Sequence, residues 1–233
     1  MINLDKNLLD VAKNLEDQFL KAWAQADGKS NIFIKADYQK FDGITNLVTV
    51  ALHLLRDSSV IDIGCNSGIH SIVSSLVAKN VTGYDVEELF INRARSAAVA
   101  LKNAYNSQGE LNFELDDFTR GLKGKQFNAV IAARILYHVG DEKIEILKSY
   151  CTENVEKIII QCRPCRDKIY SSGQVARTTL YGGLYKVRDC IQFIEDCGFT
   201  EYSVWGLEEL WKDGENFPVI YASKSKISKI LSK

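Results

Sequence analysis

Four short apolar runs in this sequence are each followed by residues that can bind or transform a ligand. These residues are the segment 62–68 (DIGCNSG), Asp85, the pair Asp116-Asp117 and the segment 134–138 (RILYH). Two glycines four residues apart allow the backbone of the first segment to approach a ligand closely and then to turn into a helix. Because the carboxyl ends of parallel strands share one edge of a sheet, we predict that all four groups form one ligand site.

The elements that must position these residues follow from hydrophobic periodicity. Apolar runs bounded by glycine or polar residues predict buried strands, and apolar residues at three- and four-residue steps predict helices. The predicted strands are 59–63, 81–85, 111–115, 127–133, 155–162, 199–205 and 217–223, and the intervening helical stripes are 69–77, 90–101, 141–151 and 187–197. Repeated strand–helix units of this length predict an α/β, doubly wound fold with a mostly parallel seven-stranded sheet.

The chain divides into three predicted regions. Residues 1–56 form an N-terminal helical extension, residues 57–223 form the α/β domain, and residues 224–233 are a basic tail. The chain is 46% hydrophobic and 25% charged, as in ordinary soluble globular proteins. Its formal net charge of −1 argues against a basic coat for nucleic acid, and no apolar run is long enough to span a membrane. We therefore expect a cytoplasmic protein.

The sequence from about residue 57 to residue 223 resembles the class I, Rossmann-like S-adenosylmethionine (SAM)-dependent methyltransferases. Their first motif has an acidic residue followed by three glycines at alternate positions, and this chain has Asp62, Gly64 and Gly68 at three of the four positions. Asn66 replaces the middle glycine, and asparagine tolerates a positive φ better than most residues. The segment 136–138 (LYH) is similar to tRNA wobble-uridine carboxymethyltransferases and to small-molecule methyltransferases.

The resemblance implies SAM as the cofactor and assigns parts of it to particular residues. Gly64 and Gly68 would pass close to its amino-acid part, and Asp85 would accept hydrogen bonds from both ribose hydroxyls. Asp117, together with the backbone of Phe118, would bind the adenine. The full set of cofactor-binding residues implied in this way is Asp62, Gly64, Cys65, Asn66, Gly68, Asp85, Val86, Asp117, Phe118 and Arg134.

Methyl transfer from a sulfonium is an in-line displacement that chiefly requires the correct positioning of the acceptor. A general base is needed only if the acceptor must lose a proton, and His138 or Tyr137 is our candidate for that role. The stretch 163–188 is rich in arginine, lysine and tyrosine, and it predicts binding of an anionic small molecule through Arg163, Arg177 and Tyr181. Two alternatives remain for this stretch: it binds an RNA acceptor, or it is a solvated surface loop without a binding role.

Three other functions compete with this interpretation. A tRNA- or RNA-modifying transferase would use the same cofactor site. An NAD(P)-binding oxidoreductase would need glycines in the G-x-G-x-x-G register, where this chain has Gly64, Asn66 and Ile69. A non-catalytic interaction module could keep the fold alone. Asp85 also has a purely structural explanation, because aspartate at a strand-to-helix junction often caps a helix, and the alternative for Asp116 and Asp117 is solvated loop charges.

The six cysteines include one C-x-x-C pair, Cys162 and Cys165. No second such pair and no close histidine pair completes a zinc site. We predict reduced thiols, no metal ion and no cysteine in the chemistry.

Overall fold

A computed structural model describes residues 54–102, 109–162, 187–205 and 219–225. The predicted N-terminal helices lie outside these residues, apart from the last three positions of the 1–56 extension. The stretch that contains Arg163, Arg177 and Tyr181 also lies outside them, as do Cys165 and most of the basic tail.

The described elements alternate between strands and helices, as the periodicity predicts. The strands are β1 (Ser59–Ile63), β2 (Asn80–Asp85), β3 (Glu110–Leu115), β4 (Ala129–Ala133), β5 (Lys157–Gln161), β6 (Glu201–Trp205) and β7 (Val219–Ser223). The helices are α1 (Ile69–Ser74), α2 (Glu88–Lys102), α3 (Phe118–Gly121), α4 (Asp141–Asn154) and α5 (Val187–Asp196). The sequence did not predict α3, whose four residues are too few for a hydrophobic period.

The seven strands form one sheet in the order β3-β2-β1-β4-β5-β7-β6. Strands β1 to β5 are parallel, and β7 runs antiparallel to both of its neighbours. This topology confirms the predicted Rossmann-like fold with its mostly parallel seven-stranded sheet. The strand order reverses between β1 and β4, which is where such sheets open a crevice for ligands.

Both faces of the sheet are covered, because successive side chains of a strand point to opposite faces. Ile61 and Ile63 of β1 pack in a core cluster with Leu147 of α4 and Phe193 of α5. Val60 belongs to the cluster of the opposite face. Ile61 is fully buried, so its truncation to alanine should cost about 2–5 kcal/mol. The strands thus form a rigid base for the loops at their carboxyl ends.

No helix among the described residues is long and apolar enough to cross a membrane.

Candidate functional site

The site lies at the carboxyl ends of β3, β2, β1 and β4, which are adjacent in the sheet. The parallel register aligns Ile63 with Tyr84, and Asp85 with Leu115, so the residues that follow these strands emerge side by side. The four predicted groups therefore share one edge, as the sequence indicates.

The loop after β1 is built on three residues with a positive φ. Gly64 has a φ of 64°, Asn66 of 49° and Gly68 of 83°. A Cβ atom on Gly64 would lie 2.7 Å from the side chain of Ile135, and one on Gly68 would lie 2.7 Å from that of Phe113. Both glycines are therefore required for conformation and for space, and Asn66 adopts the left-handed turn that its residue type permits.

Asp85, the last residue of β2, is joined to this loop by its carboxylate. Its Oδ2 accepts a hydrogen bond of 2.9 Å from the backbone N–H of Asn66, and its Oδ1 accepts one of 3.0 Å from that of Glu87. The second bond stabilises the turn into α2, so part of the structural explanation for this residue holds. Each carboxylate oxygen keeps one further acceptor position, because an ionised carboxylate offers about four.

Asp62 is the buried acid of the site. Its Oδ2 accepts a 2.6 Å hydrogen bond from the Ser71 hydroxyl of α1, while its Oδ1 has no partner among the described residues. Burial raises the pKa of Asp62 to about 7; the Ser71 bond opposes this rise and the negative charge of Asp85 adds to it. Asp62 is thus a carboxyl that changes its charge near neutral pH.

Asp117 follows β3 and serves as the N-cap of α3. Its Oδ1 accepts hydrogen bonds from the Thr119 backbone N–H at 3.0 Å and from the Thr119 hydroxyl at 2.7 Å. Its Oδ2 accepts a hydrogen bond from Nζ of Lys143, in the first turn of α4. Burial alone would raise the pKa of Asp117, but the bonds from Lys143 and Thr119 outweigh it and lower that pKa. Asp117 is therefore held ionised.

The neighbouring Asp116 has a different set of partners. Its Oδ1 accepts from the backbone N–H of Asp117 at 2.7 Å and from the exposed guanidinium of Arg120 at 3.1 Å. The two consecutive acids thus serve different purposes.

The turn after β4 begins at Arg134, whose φ of 56° is unusual for a residue with a side chain. Its backbone N–H donates to the carbonyl of Gln161 at 2.9 Å, and Ile135 packs over the position of the Gly64 Cβ. Burial lowers the pKa of Arg134, and the Tyr137 phenol partly offsets this effect. A strained backbone of this kind is often found at functional sites.

The same region contains three aromatic side chains with polar atoms. Tyr137 and His138 are in contact, with ring centroids 4.3 Å apart. His70 of α1 is buried, and its Nε2 has no partner among the described residues. Burial, assisted by the positive charge of Arg134, lowers the pKa of His70 to about 3, so this imidazole is neutral at physiological pH.

The remaining predicted cofactor residues differ in exposure. Cys65 is buried, and burial raises the pKa of its thiol far above the ordinary value. Phe118 is also buried, whereas Val86 is 65% exposed.

Sequence reasoning missed Ser71 and Lys143, which contact two of the predicted acids. Each contact joins separate elements, and nothing in the local sequence marks either residue. Sequence reasoning also missed the N-cap role of Asp117, although aspartate is one of the preferred N-cap residues.

Cys65 lies in the glycine loop, and Cys162 directly follows β5 at the same end of the sheet; both are buried. Cys151, Cys162, Cys190 and Cys197 are buried in one core cluster. The neighbouring thiol together with burial raises the pKa of Cys162, and burial together with the neighbouring thiol raises the pKa of Cys151. No group of three metal-ligating side chains occurs within the described ranges. The absence of a metal and of cysteine chemistry remains a prediction.

Comparison with known proteins shows which family and which folds the chain is similar to. The ribosomal protein L11 methyltransferase (PrmA) family profile matches residues 45–159. No curated protein sequence matches the chain.

Solved structures share this fold at low sequence identity. Magnesium protoporphyrin IX methyltransferase from Synechocystis, with bound S-adenosylhomocysteine (SAH), has a TM-score of 0.60 at 17% identity over 94% of this chain and 100% of its own. A protein described as an O-methyltransferase from Nostoc punctiforme has a TM-score of 0.57 at 17% identity over 77% of this chain, which spans 56% of that protein. An rRNA methylase from Streptococcus thermophilus has a TM-score of 0.50 at 14% identity over 79% of this chain and 97% of its own.

The fold, the glycine loop, the acids at successive strand ends and the family profile agree. The chain is a SAM-dependent methyltransferase, and it is similar to the class I, Rossmann-like family.

Proposed function

We propose that this methyltransferase transfers the methyl group of SAM to a small, anionic acceptor. The observation that best supports a cofactor site is the set of hydrogen bonds that the Asp85 carboxylate accepts. Two backbone N–H groups use one acceptor position on each of its carboxylate oxygens. Two positions remain, one on each oxygen, and a ribose presents two neighbouring hydroxyl donors. The same bonds hold the glycine loop against Asp85, so binding and loop conformation support each other.

The amino-acid part of the cofactor belongs at the glycine loop in this proposal. Gly64 and Gly68 permit the positive-φ turn that exposes the loop backbone to a ligand, and Asn66 and Cys65 lie between them. The unpartnered, buried Oδ1 of Asp62 fits a cofactor that carries an ammonium group. Arg134, at the neighbouring strand end, is suited to the cofactor's carboxylate because a guanidinium can form forked bonds with it.

The adenine belongs at β3, between the exposed side chain of Val86 and the turn formed by Asp117 and Phe118. The acceptor position left on Oδ2 of Asp117 suits the exocyclic amino group. Val86 would cover one face of the ring, which would remove an exposed apolar surface from water.

SAM supplies a methyl group on an already activated sulfonium, so the protein's task is to orient the acceptor and to exclude water. The strand ends fix the position of the turn 134–138, where Tyr137 and His138 are in contact. We propose that His138, or Tyr137, accepts the proton when the acceptor is a hydroxyl group. For an acceptor that carries no proton at the reacting atom, these two side chains only orient it.

Charge favours a small acceptor over a long polyanion. The chain has a formal net charge of −1, and the cofactor edge carries Asp85 and Glu87 together with the ion pairs Asp116–Arg120 and Asp117–Lys143. An edge of this charge offers little attraction to an extended RNA, whereas a single anionic group can be held by a few arginines. Arg163, Arg177 and Tyr181 are our candidates for that contact, on the strength of the sequence. The rRNA methylase among the fold neighbours keeps RNA as the second candidate.

The test is to incubate the enzyme with methyl-labelled SAM and two fractions of one cell extract, the small-molecule ultrafiltrate and the purified RNA. We expect label in an ultrafiltrate compound that anion-exchange resin retains. Asp85→Ala serves as the matched control and should strongly reduce the labelling when SAM is limiting. Label in RNA alone would overturn the proposed acceptor class without affecting the assignment as a methyltransferase.

A further inference from the structure

The carboxylate of Asp117 has only one oxygen available for a ligand. Two donors, the backbone N–H and the hydroxyl of Thr119, already occupy both acceptor positions of Oδ1. Oδ2 accepts from Nζ of Lys143 and keeps one position free. Any further donor must therefore bind the oxygen that Lys143 holds.

Lys143 occupies a position that helix energetics disfavours. It lies in the first turn of α4, after Asp141 and Glu142, where the helix dipole favours acids and opposes a cation. Its bond to Asp117 compensates for that placement and joins two elements that are 26 residues apart in sequence. The side chain of Asp117 is 21% exposed and that of Lys143 is 44% exposed, so a ligand can reach the pair.

From this arrangement we propose that Lys143 is a positioning residue for cofactor recognition, which orients Oδ2 of Asp117 toward the exocyclic amino group of adenine. The inference rests on the proposed adenine site. Lys143 keeps the carboxylate ionised and fixed while Thr119 saturates the other oxygen. Selection of an adenine ring over a ring with a carbonyl at the same position then depends on a lysine that belongs to another helix.

The experiment compares S-adenosylhomocysteine with S-inosylhomocysteine, in which a carbonyl oxygen replaces the amino group. Calorimetry of the full chain should show that the wild type binds the adenosine compound at least about tenfold more tightly, as expected for a hydrogen bond to a charged group. In Lys143→Met, affinity for the adenosine compound should fall about tenfold, while affinity for the inosine compound changes less than about twofold. Lys143→Arg should keep most of the preference because it retains the cation.

Lys148 provides a matched control on the same helix. Its Nζ forms an ion pair of 2.7 Å with Asp196, away from the cofactor edge. Lys148→Met removes the same charge from α4, so it should leave the preference for adenine unchanged.

The outcomes separate this inference from the proposed site. Failure of the wild type to bind S-adenosylhomocysteine would overturn the site itself. If the wild type binds and Lys143→Met keeps the full preference, or loses affinity equally for both compounds, the positioning role is wrong. Should Lys143→Met not fold, Lys143→Gln is measured with the same two outcomes.

Discussion

Replacement of Asp62 by asparagine should stabilise the folded protein at neutral and alkaline pH. The carboxyl is fully buried, only Ser71 donates to it among the described residues, and burial raises its pKa from 3.8 to about 7. An acid with a higher pKa in the folded state than in the unfolded state binds protons more tightly when folded. The free energy of unfolding therefore falls as pH rises from about 4 to about 7, and the cost is complete above that range.

The size of the effect follows from the two pKa values. Each pKa unit corresponds to about 1.4 kcal/mol, so the difference between 3.8 and about 7 is worth about 4 kcal/mol at pH 8. Asparagine keeps the shape and can still accept from Ser71, but it carries no charge. We expect Asp62→Asn to be more stable than the wild type by an amount that grows about 1.4 kcal/mol per pH unit from pH 5 to about 7 and then becomes constant.

Urea denaturation of both proteins at half-unit steps from pH 5 to 8.5 measures this difference. Asp196→Asn is the matched control, because hydrogen bonds from Lys148 and Gln192 lower the pKa of Asp196, and its replacement should give no gain with rising pH. A difference between Asp62→Asn and the wild type that does not depend on pH would refute the buried, raised-pKa carboxyl. A stabilised variant that no longer binds SAH would show that this residue is retained for function at a cost in stability.

Three further predictions concern the same edge. Affinity of the wild type for SAH should rise with pH up to about 7 and then level off, because an ammonium partner requires ionised Asp62. Calorimetry across this pH range tests the prediction, and the affinity of Asp62→Asn for SAH should not change with pH. Gly68→Ala should weaken SAH binding and lower the melting temperature, because the added Cβ would lie 2.7 Å from Phe113; unchanged binding would contradict it. Cys162→Ser should leave methyl transfer largely intact, and zinc that is lost in this variant would disprove the metal-free prediction.

The fold was predictable because buried parallel strands appear in the sequence as short apolar runs. Val60, Ile61 and Ile63 of β1 are fully buried, and the glycine loop follows directly. The alternation of such runs with helical stripes determines the sheet, and the sheet brings the strand ends together. Asp85 could be placed beside the loop on this basis alone.

The chemistry within the site was less predictable, because it depends on contacts between separate elements. The bond between Ser71 and Asp62 depends on how α1 packs against β1, and the bond between Lys143 and Asp117 depends on where α4 begins. Helix α3 was missed because its four residues are stabilised by a cap and not by an apolar stripe. The sequence therefore indicated which acids form the site but not which of their oxygens are free.

The binding of SAH to the wild type and to Asp85→Ala, measured by calorimetry, tests the cofactor site most directly. Asp85 would accept two hydrogen bonds from the ribose, so its loss should weaken binding at least about tenfold while the protein still unfolds cooperatively. Glu87→Ala removes an exposed carboxylate two residues away and should bind normally. A wild type that does not bind SAH, or an Asp85→Ala variant with unchanged affinity, would contradict the account.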